Sequence, residues 1–204
     1  MKCNFILNQE AEFNHLVFEI ESAEKVKSYG LKSILPPENI ISEYVADPKN
    51  TGLPSLKDYF NKNYKVKEYK KVTQEAKLAW ESKEELFFDA LNKIIKSKIT
   101  HSYEIYITLF GPGGSYTLPD AVFVRGVTEE DKEYFDVCIA HEIIHLNVEE
   151  KVKELKLSHN GKELLVDAIL FQPEIARIFG LKNEKIKTEN KYYNNLGQIF
   201  GILE

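Results

Sequence analysis

The sequence predicts an α+β fold that is mainly helical and includes a small sheet. Helical patterns occupy three stretches of the first half, at Ser55–Asn61, Val66–Trp80 and Lys83–Lys96. Two later segments, Tyr103–Phe110 and Ala121–Arg125, are rich in the β-branched and aromatic residues that favour strands. Glycines separate these two segments, and a long apolar helix is expected after the second one. A chain of 204 residues is long enough for one well-packed domain or for a domain with a substantial subdomain.

Weaker elements are predicted at both ends of the chain. Cys3–Leu7 and His15–Ile20 have the composition of two short strands on either side of a polar turn. Prolines and glycines mark residues 35–54 as a loop-rich region. Near the other end, Glu174–Phe179 reads as a short helix, and a last helix is expected within residues 183–203.

The segment with the clearest chemical meaning is His141–His145 (HEIIH), which lies in a stretch that is apolar on nearly every side. His141 and His145 are one helical turn apart on one face, so their imidazoles can hold one Zn²⁺. Glu142 points roughly 100° round the helix and reaches a metal-bound water rather than the metal. The alternative is a pair of core histidines that are hydrogen-bonded to their neighbours, with the glutamate in solvent.

This string resembles the His-Glu-x-x-His motif of the zincin metallopeptidases. The resemblance implies a zincin-like fold and a peptidase in which Glu142 is the general base for a water on a single Zn²⁺. A tetrahedral catalytic zinc has three protein ligands and one open position. A third ligand is therefore required beside His141 and His145.

Glu163 and Asp167 are the leading residues for completing the site. They are four residues apart at the start of a second predicted helix, and they therefore share one face of it. Their spacing resembles the Glu-x-x-x-Asp signature of the gluzincins, the thermolysin-like branch of the zincins. The resemblance implies that Glu163 is the third zinc ligand. It also implies that Asp167 accepts the free ring N–H of His141 and so fixes the orientation of that ring.

Three other residues compete for the role of third ligand. Asp167 could bind the metal itself, with Glu163 behind it. His159 lies too far after His145 for the metzincin continuation of the motif, and it is expected in a surface loop. Cys138, one turn before the first histidine, offers a thiolate ligand but is expected to fill the core.

The group that stabilises negative charge during the reaction is not identified by any motif. Tyrosine hydroxyls are suitable donors, and a buried packing role is the alternative for each of them. The candidates are Tyr103, Tyr106, Tyr116, Tyr192 and Tyr193.

The resemblance also implies a division of the chain. Residues 101–204 are expected to form the zincin-like catalytic domain. Residues 1–100 are expected to pack against it as a mainly helical subdomain that forms one wall of a cleft.

The elements just before the histidine helix carry two further predictions. In zincins, the strand that precedes this helix is often the sheet edge that pairs with an extended substrate. On this analogy Ala121–Arg125 binds peptide main chain to main chain, and a plain hairpin is the alternative. Thr128 with Asp131 has the pattern of a capping box and is expected to open the histidine helix.

Composition argues against several classes of partner. The net charge is −5, so there is no electrostatic case for nucleic acid or for an anionic membrane. No segment approaches the roughly 18 apolar residues of a membrane span, and the first apolar run is too short for a signal peptide. The two cysteines, Cys3 and Cys138, make a disulfide framework implausible. A cytoplasmic protein with a peptide or protein substrate is expected.

The expected function is therefore that of a zinc-dependent metallopeptidase. Two alternatives belong to other classes. One is a zincin-fold protein that binds or regulates a partner without hydrolysis, and the other is a zinc hydrolase of a small non-peptide amide. The presence of Glu142 favours catalysis over binding alone.

Overall fold

The computed structural model describes residues 2–95, 102–182 and 189–201. Within these ranges one four-stranded sheet is combined with a larger helical part, which agrees with the expected α+β class. No helix of the described chain is both long enough and apolar enough to pass through a membrane. The strands are β1 (Lys2–Ile6), β2 (Ser102–Thr108), β3 (Gly114–Thr117) and β4 (Ala121–Arg125).

The helices precede, separate and follow these strands along the chain. Five of those described lie between β1 and β2, and the rest follow β4. They are α1 (Gln9–Ser28), α2 (Glu38–Ala46), α3 (Gly52–Asn63), α4 (Val66–Glu81), α5 (Glu84–Ile95), α6 (Glu129–Glu133), α7 (Phe135–Glu154), α8 (His159–Leu170), α9 (Pro173–Phe179), a 3₁₀ turn at Tyr193–Asn195 and the one-turn α10 (Leu196–Ile199).

The sheet has the strand order β1-β2-β4-β3, with β1 and β4 parallel to β2 and with β3 antiparallel to β4. Strand Ala121–Arg125 therefore has a neighbour on both sides, and the prediction that it is the free edge is wrong. The chain after the glycines turns back so that Tyr116 lies opposite Val122, which makes β3 the edge strand. The sequence of β3, Gly-Ser-Tyr-Thr, is too short and too polar to carry a strand signal of its own.

The prediction of a strand at His15–Ile20 is also wrong, because these residues belong to α1. The polar residues before them form a helix start rather than a turn. Asn8 is the N-cap, and its side chain accepts hydrogen bonds from the backbone N–H groups of Glu10 and Ala11 at 3.0 and 3.2 Å. A cap of this kind satisfies donors that have no partner inside the helix.

The predicted helices of the first half are confirmed. Helices α3 and α4 include Ser55–Asn61 and Val66–Trp80 in full. Helix α5 covers the predicted stretch Lys83–Lys96 from Glu84 to Ile95. Lys96 itself lies outside the described residues.

The later elements agree less closely with the sequence pattern. The strand predicted at Tyr103–Phe110 ends at Thr108. The short helix at Glu174–Phe179 is confirmed as part of α9, and the left-handed Gly180 ends it. Of the last helix predicted within residues 183–203, the described part includes the 3₁₀ turn and α10.

The predicted capping box is real, but it caps a different helix. The Thr128 side chain accepts from the Asp131 backbone N–H at 3.0 Å, and this pair begins the short α6. The helical path then breaks at Tyr134, and α7 starts one residue later. Asp131 also accepts hydrogen bonds from Arg125 Nε and Nη2 at 3.0 and 2.8 Å, which joins α6 to the end of β4.

Two hydrophobic cores hold these elements together. The main core contains Ile143 of α7 and Leu165 of α8, together with Trp80 of α4. The second core contains Leu16 of α1 and Phe60 of α3. Residues 2–95 are mainly helical, and they also supply β1 to the common sheet and several side chains to the main core.

Glu12 is a buried carboxylate that connects α1, α4 and the end of β2. Its Oε1 atom accepts hydrogen bonds from Tyr69 Oη, Thr108 Oγ1 and the Leu109 backbone N–H at 2.9, 3.0 and 2.9 Å. Its Oε2 atom is buried and has no hydrogen-bond partner among the described residues. Burial outweighs these three hydrogen bonds and raises the pKa of Glu12 from 4.5 to about 7.

We predict that Glu12 makes the protein less stable as the pH rises. The pKa of Glu12 is higher in the folded state than in the unfolded state. Its contribution to the free energy of unfolding is therefore fully present below about pH 4.5 and is lost as the pH rises through about 7. Glu12→Gln removes this titration. The free energy of unfolding is measured with urea at pH 5 and at pH 8. Between these two pH values, Glu12→Gln should become more stable relative to the parent protein by on the order of 1–3 kcal/mol. The exposed Glu10→Gln variant is the control. A difference between Glu12→Gln and parent that does not change with pH would contradict the prediction.

Candidate metal centre

Helices α7 and α8 carry the three residues that the sequence predicts as metal ligands. His141 and His145 lie on one face of α7 because they are four residues apart. Glu163 lies near the start of α8. Ser158 caps this helix by accepting a hydrogen bond from the Gly161 backbone N–H at 3.2 Å, which fixes its first turn. Residues from two consecutive helices therefore meet at one place.

The ligand atoms of the three residues form a small triangle. The two Nε2 atoms of His141 and His145 are 3.0 Å apart. Oε2 of Glu163 is 3.2 Å from Nε2 of His145 and 3.4 Å from Nε2 of His141. No other described group of three or more histidine, cysteine or acidic side chains has its ligand atoms this close together.

The sides of the triangle are close to the spacing of zinc ligands, and the side chains are of kinds that zinc binds. Zinc binds nitrogen and oxygen at about 2.0–2.2 Å, so two of its ligand atoms in a tetrahedron are about 3.3–3.5 Å apart. Two imidazoles with one carboxylate are a ligand set of catalytic zinc sites. All three residues line an open cleft, which leaves space for a fourth ligand.

The protonation states of His145 and Glu163 suit metal binding. Burial lowers the pKa of His145 to about 4, so its imidazole is neutral at pH 7. Burial raises the pKa of Glu163, but hydrogen bonds from His141 and His145 outweigh this effect and hold the pKa of the carboxyl well below its usual range. For His141, burial lowers the pKa, while Glu163 and two nearby carboxylates raise it by a larger amount.

Glu142 lies beside the triangle and is not part of it. Its side chain is only 7% exposed, and burial raises its pKa to about 7, against the lowering effect of His141. Gly114 of β3 approaches it closely, since a Cβ atom on this glycine would lie 2.6 Å from Glu142 Oε1. The edge strand therefore confines the carboxylate from one side.

The site opens into a cleft of about 890 Å³. One side of this cleft is formed by β3 and by the residues that flank it. Phe18, Tyr29 and Leu31, from α1 and the chain just after it, also line it. Tyr29 stacks on His159 of α8, with ring centroids 3.7 Å apart. This contact ties the end of α1 to the helix that carries Glu163.

The three rival ligands occupy different positions. Cys138 lines the cleft outside the triangle, and burial raises the pKa of its thiol to about 12. Asp167 acts on His141 through its charge, but among the described residues no hydrogen bond joins them. His159 is not in a surface loop as predicted. It begins α8, and its Nδ1 atom is 3.6 Å from Glu163 Oε1.

Of the five candidate tyrosines, Tyr116 is the one that lines the cleft. Tyr103 is fully buried in the main core. The hydroxyl of Tyr106 donates to a neighbouring glutamate on the same strand. Tyr192 and Tyr193 pack against the outside of the main core.

Tyr116 joins the edge strand to both helices of the site. Its ring stacks on the ring of His145, with centroids 5.1 Å apart and an angle of 13° between the planes. Its hydroxyl donates a hydrogen bond to Glu149 Oε2 at 2.9 Å and accepts one from Lys162 Nζ at 3.1 Å. Burial and the Glu149 carboxylate raise the pKa of Tyr116, so the hydroxyl keeps its proton.

Several residues of the site are not identified by the sequence analysis. Gly114, Tyr29 and Lys162 gave no signal, because their roles depend on contacts between distant parts of the chain. His159 did offer a local signal, since it is four residues before Glu163 and therefore shares a face with it.

Comparison of the chain with models of known protein families, with curated proteins and with solved structures gave no match. The function is therefore inferred from the residues of this chain alone.

Proposed function

We propose that this protein is a zinc-dependent peptidase whose metal is held by His141, His145 and Glu163. The observation that carries the proposal is the triangle of ligand atoms, with sides of 3.0, 3.2 and 3.4 Å, beside the buried Glu142 in an open cleft. A glutamate that follows the first histidine is positioned to act on water near the metal rather than on the metal itself. Glu142 lies outside the ligand set, so its carboxylate is available to act on a water molecule. Hydrolysis is therefore favoured over binding alone.

Glu142 has the properties of a general base in this reaction. Zinc, when bound, supplies a Lewis acid that lowers the pKa of water to about 7 and polarises a carbonyl group. Glu142 takes the proton of the attacking water and later passes it to the leaving amine. Burial raises the pKa of this carboxyl to about 7, and the positive charge of a bound zinc would act in the opposite direction.

The edge strand β3 supports an extended peptide as the substrate. In an antiparallel ladder, hydrogen bonds to the neighbouring strand alternate along the chain. Gly113 bonds to Arg125 of β4, so the backbone groups of Gly114 and Tyr116 point away from β4. A peptide in the cleft could pair with these two residues as an added strand. The scissile bond would then lie next to the ligand triangle.

We predict that the purified protein binds one zinc ion per chain and that His145→Ala retains little or none. Loss of one imidazole leaves two protein ligands, too few for a stable catalytic site. Glu163→Gln should also weaken zinc retention, since a neutral amide replaces the charged ligand. Elemental analysis after dialysis against a weak chelator measures these differences.

The matched control for the zinc measurement is His159→Gln, which changes another histidine of the same cleft outside the triangle. This variant should keep its zinc. Equal zinc in the parent protein and in His145→Ala would refute the ligand assignment, and loss of zinc in His159→Gln would make His159 a ligand.

We predict that Glu142→Gln keeps zinc and the fold but loses turnover by about 10²–10⁴, the usual contribution of a positioned general base. A peptide library, with 1,10-phenanthroline as inhibitor, first identifies a cleaved substrate. The turnover number of parent and variant is then measured on that peptide. Parent-like turnover by the variant would rule out this role for Glu142. Cleavage of small amides without cleavage of peptides would indicate the smaller substrate class.

We predict that Gly114→Ala lowers turnover by up to about 10², because the added Cβ forces the Glu142 carboxylate away from its position. Zinc content should be unchanged, since none of the ligands contacts Gly114 in this way. Gly113→Ala is the matched control, because a Cβ at Gly113 meets no atom within 4 Å. Similar turnover in the two alanine variants would show that the close approach to Glu142 has no effect on the reaction.

A further inference from the structure

Several polar side chains line the cleft beside the ligand triangle and Glu142. Among them are Tyr116 on β3 and His159 and Lys162 on α8. Each offers hydrogen-bond donors to a substrate. Their existing contacts determine which donors are free to do so.

Tyr116 and His159 are less suited to this role than Lys162. The Tyr116 hydroxyl has a single proton, and it donates this proton to Glu149 at 2.9 Å. His159 has its Nδ1 atom 3.6 Å from Glu163, and its ring is covered by Tyr29. Tyr116 therefore has no donor left for a substrate, and the His159 ring is held between Glu163 and Tyr29.

Lys162 differs because an ammonium group has three donors. One of them is directed to the Tyr116 hydroxyl at 3.1 Å, and the ammonium also lies 5.1 Å from the centre of the Tyr116 ring. These two contacts anchor the charge over the edge strand. The other two donors have no partner among the described residues and are available to a substrate.

Lys162 is also the one lysine or arginine among the described residues that line the cleft. Its charge reaches both Glu142 and His145. Burial has the largest effect on each pKa, raising that of Glu142 and lowering that of His145, and the charge of Lys162 lowers both. The ammonium therefore lies within electrostatic range of the general base and of one ligand.

We propose that Lys162 is a catalytic residue that donates a hydrogen bond to the carbonyl oxygen of the scissile peptide bond as this oxygen becomes negative. This role rests on the proposed peptidase function. Tyr116 is then a positioning residue, because it holds the ammonium in place from β3. The assignment fills the role for which the sequence offered only tyrosines.

The charge that Lys162 meets arises in the first step. The water oxygen bonds to the carbonyl carbon while its proton passes to Glu142, and the electron pair of the C=O π bond moves onto the carbonyl oxygen. This oxygen now carries the negative charge, and Lys162 donates to it without losing its proton. When the C–N bond breaks, the electron pair returns to the C=O bond and the proton on Glu142 goes to the leaving nitrogen. Donors placed where charge develops stabilise the transition state more than the substrate.

The test uses Lys162→Met, which keeps most of the length of the side chain and removes its charge. Its turnover number should fall by about 10²–10³, as for loss of one oxyanion donor, with little change in KM and in zinc content. Lys162→Arg should recover part of this loss. Tyr116→Phe should lose less than Lys162→Met, because the ammonium loses its anchor but not its charge.

A binding measurement separates this role from a structural one. A phosphonamidate analogue of the cleaved peptide mimics the negative tetrahedral centre. Its affinity, measured by calorimetry, should fall in Lys162→Met by about the same factor as turnover. The affinity for the uncleaved peptide, measured in the Glu142→Gln background, should not change.

Lys153→Met is the matched control, because Lys153 approaches Glu149 at 3.8 Å from the solvent side of the same network. It should behave as the parent protein. Parent-like turnover in Lys162→Met would overturn the proposal while leaving the result for Glu142→Gln intact. A rise in KM only for peptides with a free carboxylate would instead make Lys162 a recognition site for that carboxylate. If Lys162→Met loses zinc, its turnover number no longer tests the proposal. The turnover number of Lys162→Arg is then compared with that of Tyr116→Phe, and an equal loss of turnover in these two variants would overturn the proposal.

Discussion

The burial of helix α7 is the constraint on which the site depends. Ile139, Ile143, Ile144 and Val148 are fully buried, so the helix is held on several sides by the main core. Close packing of this kind leaves the helix little freedom to rotate or slide. The two histidines therefore keep a fixed relation to β3 on one side and to α8 on the other. The same burial removes water from Glu142 and His145, and it is the main influence on the pKa of both.

A second set of contacts positions the edge strand. Arg125 at the end of β4 donates to Asp131 and, through Nη1, to the Gly111 carbonyl oxygen at 3.2 Å. Gly111 also exchanges two backbone hydrogen bonds with Ile34, in the segment that follows α1. The loop before β3 is thus held from β4, from α6 and from the N-terminal part of the chain. Its place over α7 depends on residues far apart in sequence.

The proposed ligand set could be predicted from the sequence because it depends on helical periodicity, which is local. His141 and His145 follow from a spacing of four, and Glu163 from the resemblance to a signature of the same period. The mixed fold and most helices follow from local patterns in the same way. His15–Ile20 was misread because an apolar run of this length suits a strand or a helix equally, and the cap at Asn8 decided between them. The edge strand and the contacts of Lys162 depend on how distant segments meet, which no local pattern records.

The shortness of β3 has a consequence for how the protein would work as a catalyst. A strand of four residues turns only Gly114 and Tyr116 toward a partner chain, which limits the ladder to about four hydrogen bonds. Each such bond contributes only about 0.5–1.5 kcal/mol in water, so the main chain alone holds a peptide weakly. Discrimination among sequences must then come from the side chains on either side of the cut bond. Cleaved fragments, each held by half of this short ladder, would leave quickly and free the cleft for the next chain.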